Sequence, residues 1–528
     1  MHIIRIGDEA AGQHSAETVG AKAANLAHMA SLGLPVPPAF VLPIELCAAI
    51  VRNDSAAKRD LSDGLGEGIA FLESATGKKF GDRRRPLLVS VRSGAARSMP
   101  GMLDTVLNVG CSLTATHGLL RSSGHPRFAW DCRRRFLESF GTVVLGIDRE
   151  AFAKSLDRVV AGEGVGGEQK LDGEAIERLA GDFQQVIDDA GAAVADDPME
   201  QLEAAARAVY GSWTSDRARA YRQLQRLDDL QGTAVTVQAM VFGNRSALSG
   251  SGVAFSRDPS TGGAQAVIDV MFEAQGEDVV SGSRNPETEQ AIAQALPAVA
   301  SQLRETLARL ENEFCDVQDV EFTIEDGRLW ILQTRAAKRT PRAALRFAVD
   351  FVNAGLITPA QALQRIDGLD LGALAHRRLI ASGAPAAIGT AASAGIAVGR
   401  AAFDSESAER LAAGPDPVIL VRPDTSTADV EGFAVSQGIV TALGGRTAHA
   451  ALVARQMGKP CIVGCPGLAI DVTNHVARLR DARIKEGDWL SIDGEAGAIY
   501  LERCNVAVDQ AAMELAEIER WRASAGAH

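Results

Sequence analysis

Gly438-Ile-Val-Thr-Ala-Leu-Gly444-Gly445-Arg446-Thr447-Ala448-His449-Ala450-Ala451-Leu-Val-Ala-Arg455 is the stretch on which the reading turns. Its first six residues read as a buried strand, two glycines break it, and His449 opens a helix of small residues. Glycines at such a turn let the backbone come close to a phosphate, and a helix start supplies unpaired N–H groups and a positive dipole end. A neutral imidazole nitrogen there can attack phosphorus and hold the group as a phosphoramidate. The competing reading, a histidine that caps a helix or fills a small cavity, loses weight against the double glycine and the small flanks. Arg446 and Thr447, on the same turn, are the other candidates for chemistry at this loop.

Strand patterns near 417–421, 438–442, 460–463 and 489–492 surround this segment and give an α/β unit over about 389–503. Residues 382–395, SGAPAAIGTAASAG, are nearly all small and read as a hinge or a surface loop. The tail from about 506 to 523 reads as an amphipathic helix carrying Leu515, Ile518 and Trp521, suited to docking a partner or to packing on its own domain. Upstream, Pro341 opens one connector helix and Thr358-Pro359 caps another. VQDVEFTIEDGRLWILQTR, residues 317–335, alternates apolar and polar across Asp326-Gly327 and reads as a hairpin. Strand patterns also fill 233–275, and 111–231 is mostly helical. Residues 20–32 read as a helix, and Leu87–Val91 as a strand running into Arg92-Ser93-Gly94.

A chain of 528 residues is too long for one ordinary core and predicts two to four domains. Its 46% hydrophobic and 23% charged composition is that of a water-soluble protein, with no apolar run long enough for a membrane span and no signal-peptide core in MHIIRIGDEA. A formal charge of -13 argues against a chain-wide nucleic-acid footprint. Seven cysteines without a C-x-x-C pair fit reduced thiols, hence a cytoplasmic location, and Cys461 and Cys465 read as a buried strand end rather than a metal site.

A second set of candidates is dispersed. Lys22 lies in a Gly/Ala-flanked loop, Arg92 follows a strand, and Glu321, Gln333 and Arg335 lie on the hairpin. Cations for phosphates and oxygen ligands for magnesium, here Glu321 and Gln333, are what phosphoryl transfer requires. No G-x-x-x-x-G-K-[ST] is present, so a P-loop is excluded.

Taken together, AKAANLAHMASLGLPVPPAF, PLLVSVRSGAARSMPGMLDTVLNVG, GSGVAFSRDPSTG, EAQGEDVVSG, QDVEFTIEDGRLWILQTRAAKRT and GGRTAHAALVARQMGKPCIVGC resemble the pyruvate phosphate dikinase and phosphoenolpyruvate synthase family, most closely its dikinase branch. The resemblance implies an α/β multidomain fold: an ATP-grasp module over 1–340 with the helical insert at 111–231, a connector and hinge at 341–388, a swivelling β/β/α phosphohistidine domain at 389–503, and a terminal helix at 504–528. It implies that Lys22, Arg92 and Arg335 hold ATP phosphates, that Glu321 and Gln333 face nucleotide and Mg²⁺, and that His449 is phosphorylated as ATP becomes AMP. Thr447 matches the position a regulatory kinase modifies in some dikinases.

Three departures stand out. Ala21 and Ala23 flank Lys22 where the family has more glycine, Ala448 replaces a polar residue usually Ser or Cys, and too few residues follow Arg503 for the roughly 250 of a TIM barrel. The expectation is a half enzyme whose pyruvate-like acceptor is held by a separate barrel-type protein. The other readings are a stand-alone small-molecule phosphotransferase, in the manner of rifampin phosphotransferase, and a non-catalytic ATP-binding relic.

Overall fold

The computed structural model describes residues 3–7, 14–97, 99, 102–224, 226–281, 285–369, 376–425, 429–446, 448–472, 474–509 and 512–525. The hairpin expected at 317–335 is present as strands Gln318–Glu325 and Arg328–Ala336. Asp326 and Gly327 both have positive φ, 49° and 77°, the conformation a two-residue turn between twisted strands demands. The chain forms two compact units, and this hairpin contributes to each: 324–326 and 330–334 belong to the first with residues 1–247, the rest to the second with 248–323 and 335–528. The module expected at 1–340 is thus distributed over both.

The first unit is built on an antiparallel sheet in the order Ile4–Ile6, Ala39–Leu42, Ala234–Ala239, Val89–Gly94, Thr105–Val109. Between the last two of these in sequence, 113–224 folds into successive helices, as the periodicity predicts. Leu137, Phe136, Phe183 and Leu179 from these helices join Val89, Val91 and Val237 from the sheet in one core.

In the second unit a sheet ordered Glu287–Thr288, Val267–Phe272, Gly250–Phe255, Gln318–Glu325, Arg328–Ala336 is followed by the connector helices Pro341–Asn353 and Pro359–Arg365. Thr358 and Gln361 close a capping box on the second. An eight-stranded sheet then runs in the order Ala387–Ile388, Ala498–Tyr500, Trp489–Asp493, Ile396–Ala402, Val418–Arg422, Gly438–Thr441, Cys461–Val463, Thr390–Ser393. Its four inner strands from Ile396 to Val463 are parallel, and the flanks are antiparallel.

Two expectations are corrected here. The small-residue segment 382–395 is loop only at 382–386 and at its last two residues: Ala387–Ile388 and Thr390–Ser393 are the two edge strands of that sheet, joined only by Gly389. Because one residue links opposite edges, the sheet must curl until they meet. The small side chains are what this closure tolerates, since Ala387, Ala392 and Ser393 are buried and a Cβ on Gly389 would press on Ile462 at 2.7 Å. The tail also differs. Asn505–Asp509 is a strand paired with His376–Ile380, and only Ala512–Ala525 is helical. Ile518 of that helix is buried against the connector helices together with Leu515 and Trp521, so this face packs on its own unit and is not open for docking.

Candidate active site

The first cluster of expected residues is assembled by a contact between two glycines. Gly20, at φ 81°, caps the helix Ala21–Ser31, and its Cα lies so close to Gly94 that a Cβ there would stand 2.1 Å from the Gly94 carbonyl oxygen. The Ala21 N–H donates to the Ala95 carbonyl at 2.9 Å. Lys22 therefore sits in the first turn of a helix, not in a loop, laid across the end of the strand that carries Arg92. Arg92 pairs in register with Thr236, and Gln238 follows two residues on, so strand alternation puts all three on one face. With Lys22, Ser93, Leu332 and Gln333 they line a narrow groove in the first unit. Arg92 Nη1 is 3.5 Å from Gln238 Oε1, and Gln238 donates to the Pro37 carbonyl at 3.2 Å. The Thr236 hydroxyl is buried and has no hydrogen-bond partner. Such a groove presents two cations and several amide and hydroxyl groups, the donor set that grips phosphate oxygens.

Glu321 and Arg335 belong to the second unit, where a residue the sequence reading passed over joins them. Asp319, two positions before Glu321 on the same strand face, accepts a 2.8 Å bond from Arg335 Nε and is 1% exposed in its side chain. Burial raises its pKa above the usual carboxylate range, and Arg335 offsets this only in part. Burial also works against the charge on Arg335, but the carboxylates of Asp319 and Glu321 outweigh it and hold its pKa up. Asp319 Oδ1 is left without a hydrogen-bond partner. The signal was present in the sequence, since alternation in Asp319-Val-Glu321 places both carboxylates on one face.

His449 is the first residue of the helix His449–Gln456, which follows the strand Gly438–Thr441 across the double-glycine loop. It opens on a small pocket lined by Asp424, Thr425, Thr441, Leu443 and Ala448, with its Nε2 atom buried. Asp424 and Thr425 follow the neighbouring parallel strand Val418–Arg422. The pocket thus lies at the carboxyl ends of two adjacent parallel strands, the place where open α/β sheets bind their ligands. Asp424, Thr425 and Thr441 had no motif to announce them; only the strand pairing brings them to His449. The Phe433 ring meets the imidazole edge-on, centroids 6.3 Å apart. Ala448 is the N-cap and offers no side-chain acceptor, leaving the first-turn N–H groups without that partner.

The double glycine also meets protein within the second unit. A Cβ on Gly445 would stand 2.3 Å from Pro286 and 2.9 Å from Asp269 Oδ2, so the residue is small in order to let the loop approach protein. Gly444 N–H donates to Asn285 Oδ1 at 3.1 Å, and Arg446 N–H to Asp269 Oδ2 at 2.7 Å. The Arg446 side chain donates to the Ala391 carbonyl, 3.2 Å away. Thr447 lies outside the described residues. Behind the loop, Arg455 is 1% exposed, stacks on Phe255 at 5.0 Å, and donates through Nη2 to the Arg446 carbonyl. Burial lowers its pKa to about 10 against the field of Asp319. Cys461 and Cys465 are buried, and burial pushes their thiols up to about 12 and about 11.

Among the described residues, no helix is long and apolar enough to cross a membrane. Residues 53–301 and 286–351 match the profile of the pyruvate phosphate dikinase AMP/ATP-binding domain. Residues 414–497, which include His449, match that of the mobile domain of PEP-utilising enzymes. The chain is 41% identical over 508 residues to the chloroplastic pyruvate, phosphate dikinase of Flaveria pringlei, covering 95% of this chain and 53% of that protein. It is likewise 41% identical over 488 residues to pyruvate, phosphate dikinase of Clostridium symbiosum, 91% of this chain and 56% of the relative. The chain spans about half the length of the curated relatives it matches. With an ATP-binding profile spanning more than half of its residues and a PEP-utilising mobile domain around His449, the chain belongs to the pyruvate phosphate dikinase family.

Proposed function

We propose that this chain transfers a phosphoryl group from ATP to His449 and passes it to an acceptor held by a separate polypeptide. The observation that carries this reading is the setting of His449: first in its helix, at the ends of two parallel strands, facing a pocket with hydroxyl and carboxylate groups and no lysine or arginine in its described lining. The cations proposed for the phosphates are Lys22 and Arg92, which line the first unit's groove, and Arg335, which pairs with Asp319 in the second unit.

In the proposed reaction an imidazole nitrogen forms a bond to the β-phosphorus, the bond from that phosphorus to its α-bridging oxygen breaks, and AMP leaves with the electron pair. The γ group then departs to inorganic phosphate or to water. Lys22, Arg92 and Arg335 orient the triphosphate and balance its charge. ATP-grasp closure over 1–340 and swivelling of 389–503 belong to this reading, because in-line attack needs the nitrogen within roughly 3–3.5 Å of phosphorus. Asp319 and Glu321 suit Mg²⁺: they share one strand face, and one Asp319 carboxylate oxygen is orphaned. Magnesium is ordinarily held by one or two carboxylates plus substrate phosphates, and bound there it would neutralise phosphate charge. Gln333 remains a proposed contributor from the first unit.

Incubation with Mg²⁺ and ATP labelled at the β-phosphate gives an acid-labile, alkali-stable label on the wild-type chain, and His449→Ala reduces it to background. Protein that binds ATP yet stays unlabelled would reduce the chain to a nucleotide binder. Label that reaches pyruvate with no second protein added would remove the separate acceptor from the account.

A further inference from the structure

A further cavity shares no lining residue with either the Lys22 groove or the His449 pocket. It belongs to the second unit, encloses about 520 Å³, and is bounded by the helix Pro341–Asn353, the helix Pro359–Arg365 and the C-terminal end of the His449 helix. That volume is within the range of small-molecule sites. Its wall is polar and apolar in comparable measure, and its charged residues are Arg339, Arg365, Arg455 and Asp316.

Arg339 lies over the Phe347 ring at 5.5 Å and forms a two-pronged bond to Asp316, 2.6 and 2.9 Å. Arg365 donates to the Cys315 carbonyl at 2.7 Å and stands 4.0 Å from the same Asp316. Arg455 closes the third side; its Nη1 is buried and makes no hydrogen bond, and the carboxylates of Asp319, Asp269 and Asp258 reach it only through space. Three guanidinium groups therefore share the wall with one carboxylate, Asp316. A guanidinium donor buried without an acceptor is costly, and the arginine fork matches carboxylate and phosphate oxygens. Phe347 and Phe351, both 1% exposed, supply the apolar face.

We propose that this cavity is a binding site for a small organic anion, a carboxylate or phosphate monoester with a compact apolar body. The acidic head lies among Arg339, Arg365 and Arg455, and the apolar body lies against Phe347 and Phe351. The site is not the nucleotide groove, which is built from residues of the first unit. Since Arg455 also donates to the carbonyl of Arg446, a ligand here is one side chain away from the loop that presents His449.

The test uses the full chain and phenyl phosphate as probe, followed by ligand-observed NMR. Saturable binding is expected with a Kd of about 1 mM or below, a modest affinity for a ligand of this size. Inorganic phosphate, lacking the apolar body, binds at least about tenfold more weakly, which corresponds to about 1.4 kcal/mol. Arg365→Gln weakens phenyl phosphate about tenfold, and Ala348→Trp, which fills the cavity, abolishes saturation. Arg365 is exposed enough for its variant to fold, so it decides the matter even if the tryptophan variant does not. Affinity equal in wild type and Arg365→Gln, or no saturation by 10-fold above the expected Kd, would overturn the proposal.

Discussion

The groove at Lys22 and the pocket at His449 are built by opposite means. In the groove, side chains do the gathering: a lysine from a helix start, an arginine, a threonine and a glutamine from two antiparallel strands, and a glutamine from the hairpin. In the pocket, the backbone does it: two parallel strand ends deliver short side chains around one imidazole, and the helix start brings uncapped N–H groups. A site made of long polar side chains can lose a member and keep its shape. One made of close backbone approach loses its shape when a methyl group is added.

That contrast can be broken by experiment. The largest difference is expected in labelling kinetics: Lys22→Gln or Arg92→Gln should each slow the first turnover on His449 by about 10²–10³-fold, the usual loss on removing one stabilising donor or cation. Circular dichroism and the unfolding midpoint should hardly move. Full-speed labelling in both variants would detach the groove from the chemistry. Gly445→Val should do the reverse, with a loss of about 1–3 kcal/mol in the urea unfolding of the second unit, because Pro286 and Asp269 cannot both retreat from the new side chain. If the valine is accepted without cost, the loop is not held as tightly as these distances state.

Ala448→Ser restores an N-cap acceptor and should stabilise the second unit by about 1 kcal/mol in the same assay. A smaller effect is expected from pH. Burial raises the pKa of Asp319, so the fold prefers it protonated; that preference is present below about pH 3.9 and is lost as pH rises through the higher folded value. Asp319→Asn should therefore gain stability relative to wild type as pH climbs through that window. Parallel pH curves for the two proteins would contradict the sign.

Some of this was legible in the chain and some was not, for identifiable reasons. The hairpin was plain because alternation on both sides of Asp326-Gly327 leaves the backbone one good solution. The His449 helix and its flanking strands were plain because glycines and a change of period bracket them. Residues 387–393 misled, since a run of Ala, Gly and Ser is equally the composition of a flexible tether and of a tightly packed seam. Asn505–Asp509 misled because its partner strand, His376–Ile380, is more than a hundred residues away and leaves no local trace. Lys22 was read as lying in a loop, although the helix pattern at 20–32 already covered it. The approach of Gly20 to Gly94, which makes that helix start a site wall, joins two positions no pattern connects.

The seam at Gly389 also orders events in time. Ile388 and Thr390 leave the ribosome almost together, yet one edge waits for Ala498–Tyr500 and the other for Cys461–Val463. Loop-closure entropy must be met before such distant pairings reward it. While Ala498–Tyr500 is still untranslated, Ala387–Ile388 has no strand to pair with and stays exposed on the nascent chain. A chaperone that guards unpaired strands would find its substrate there.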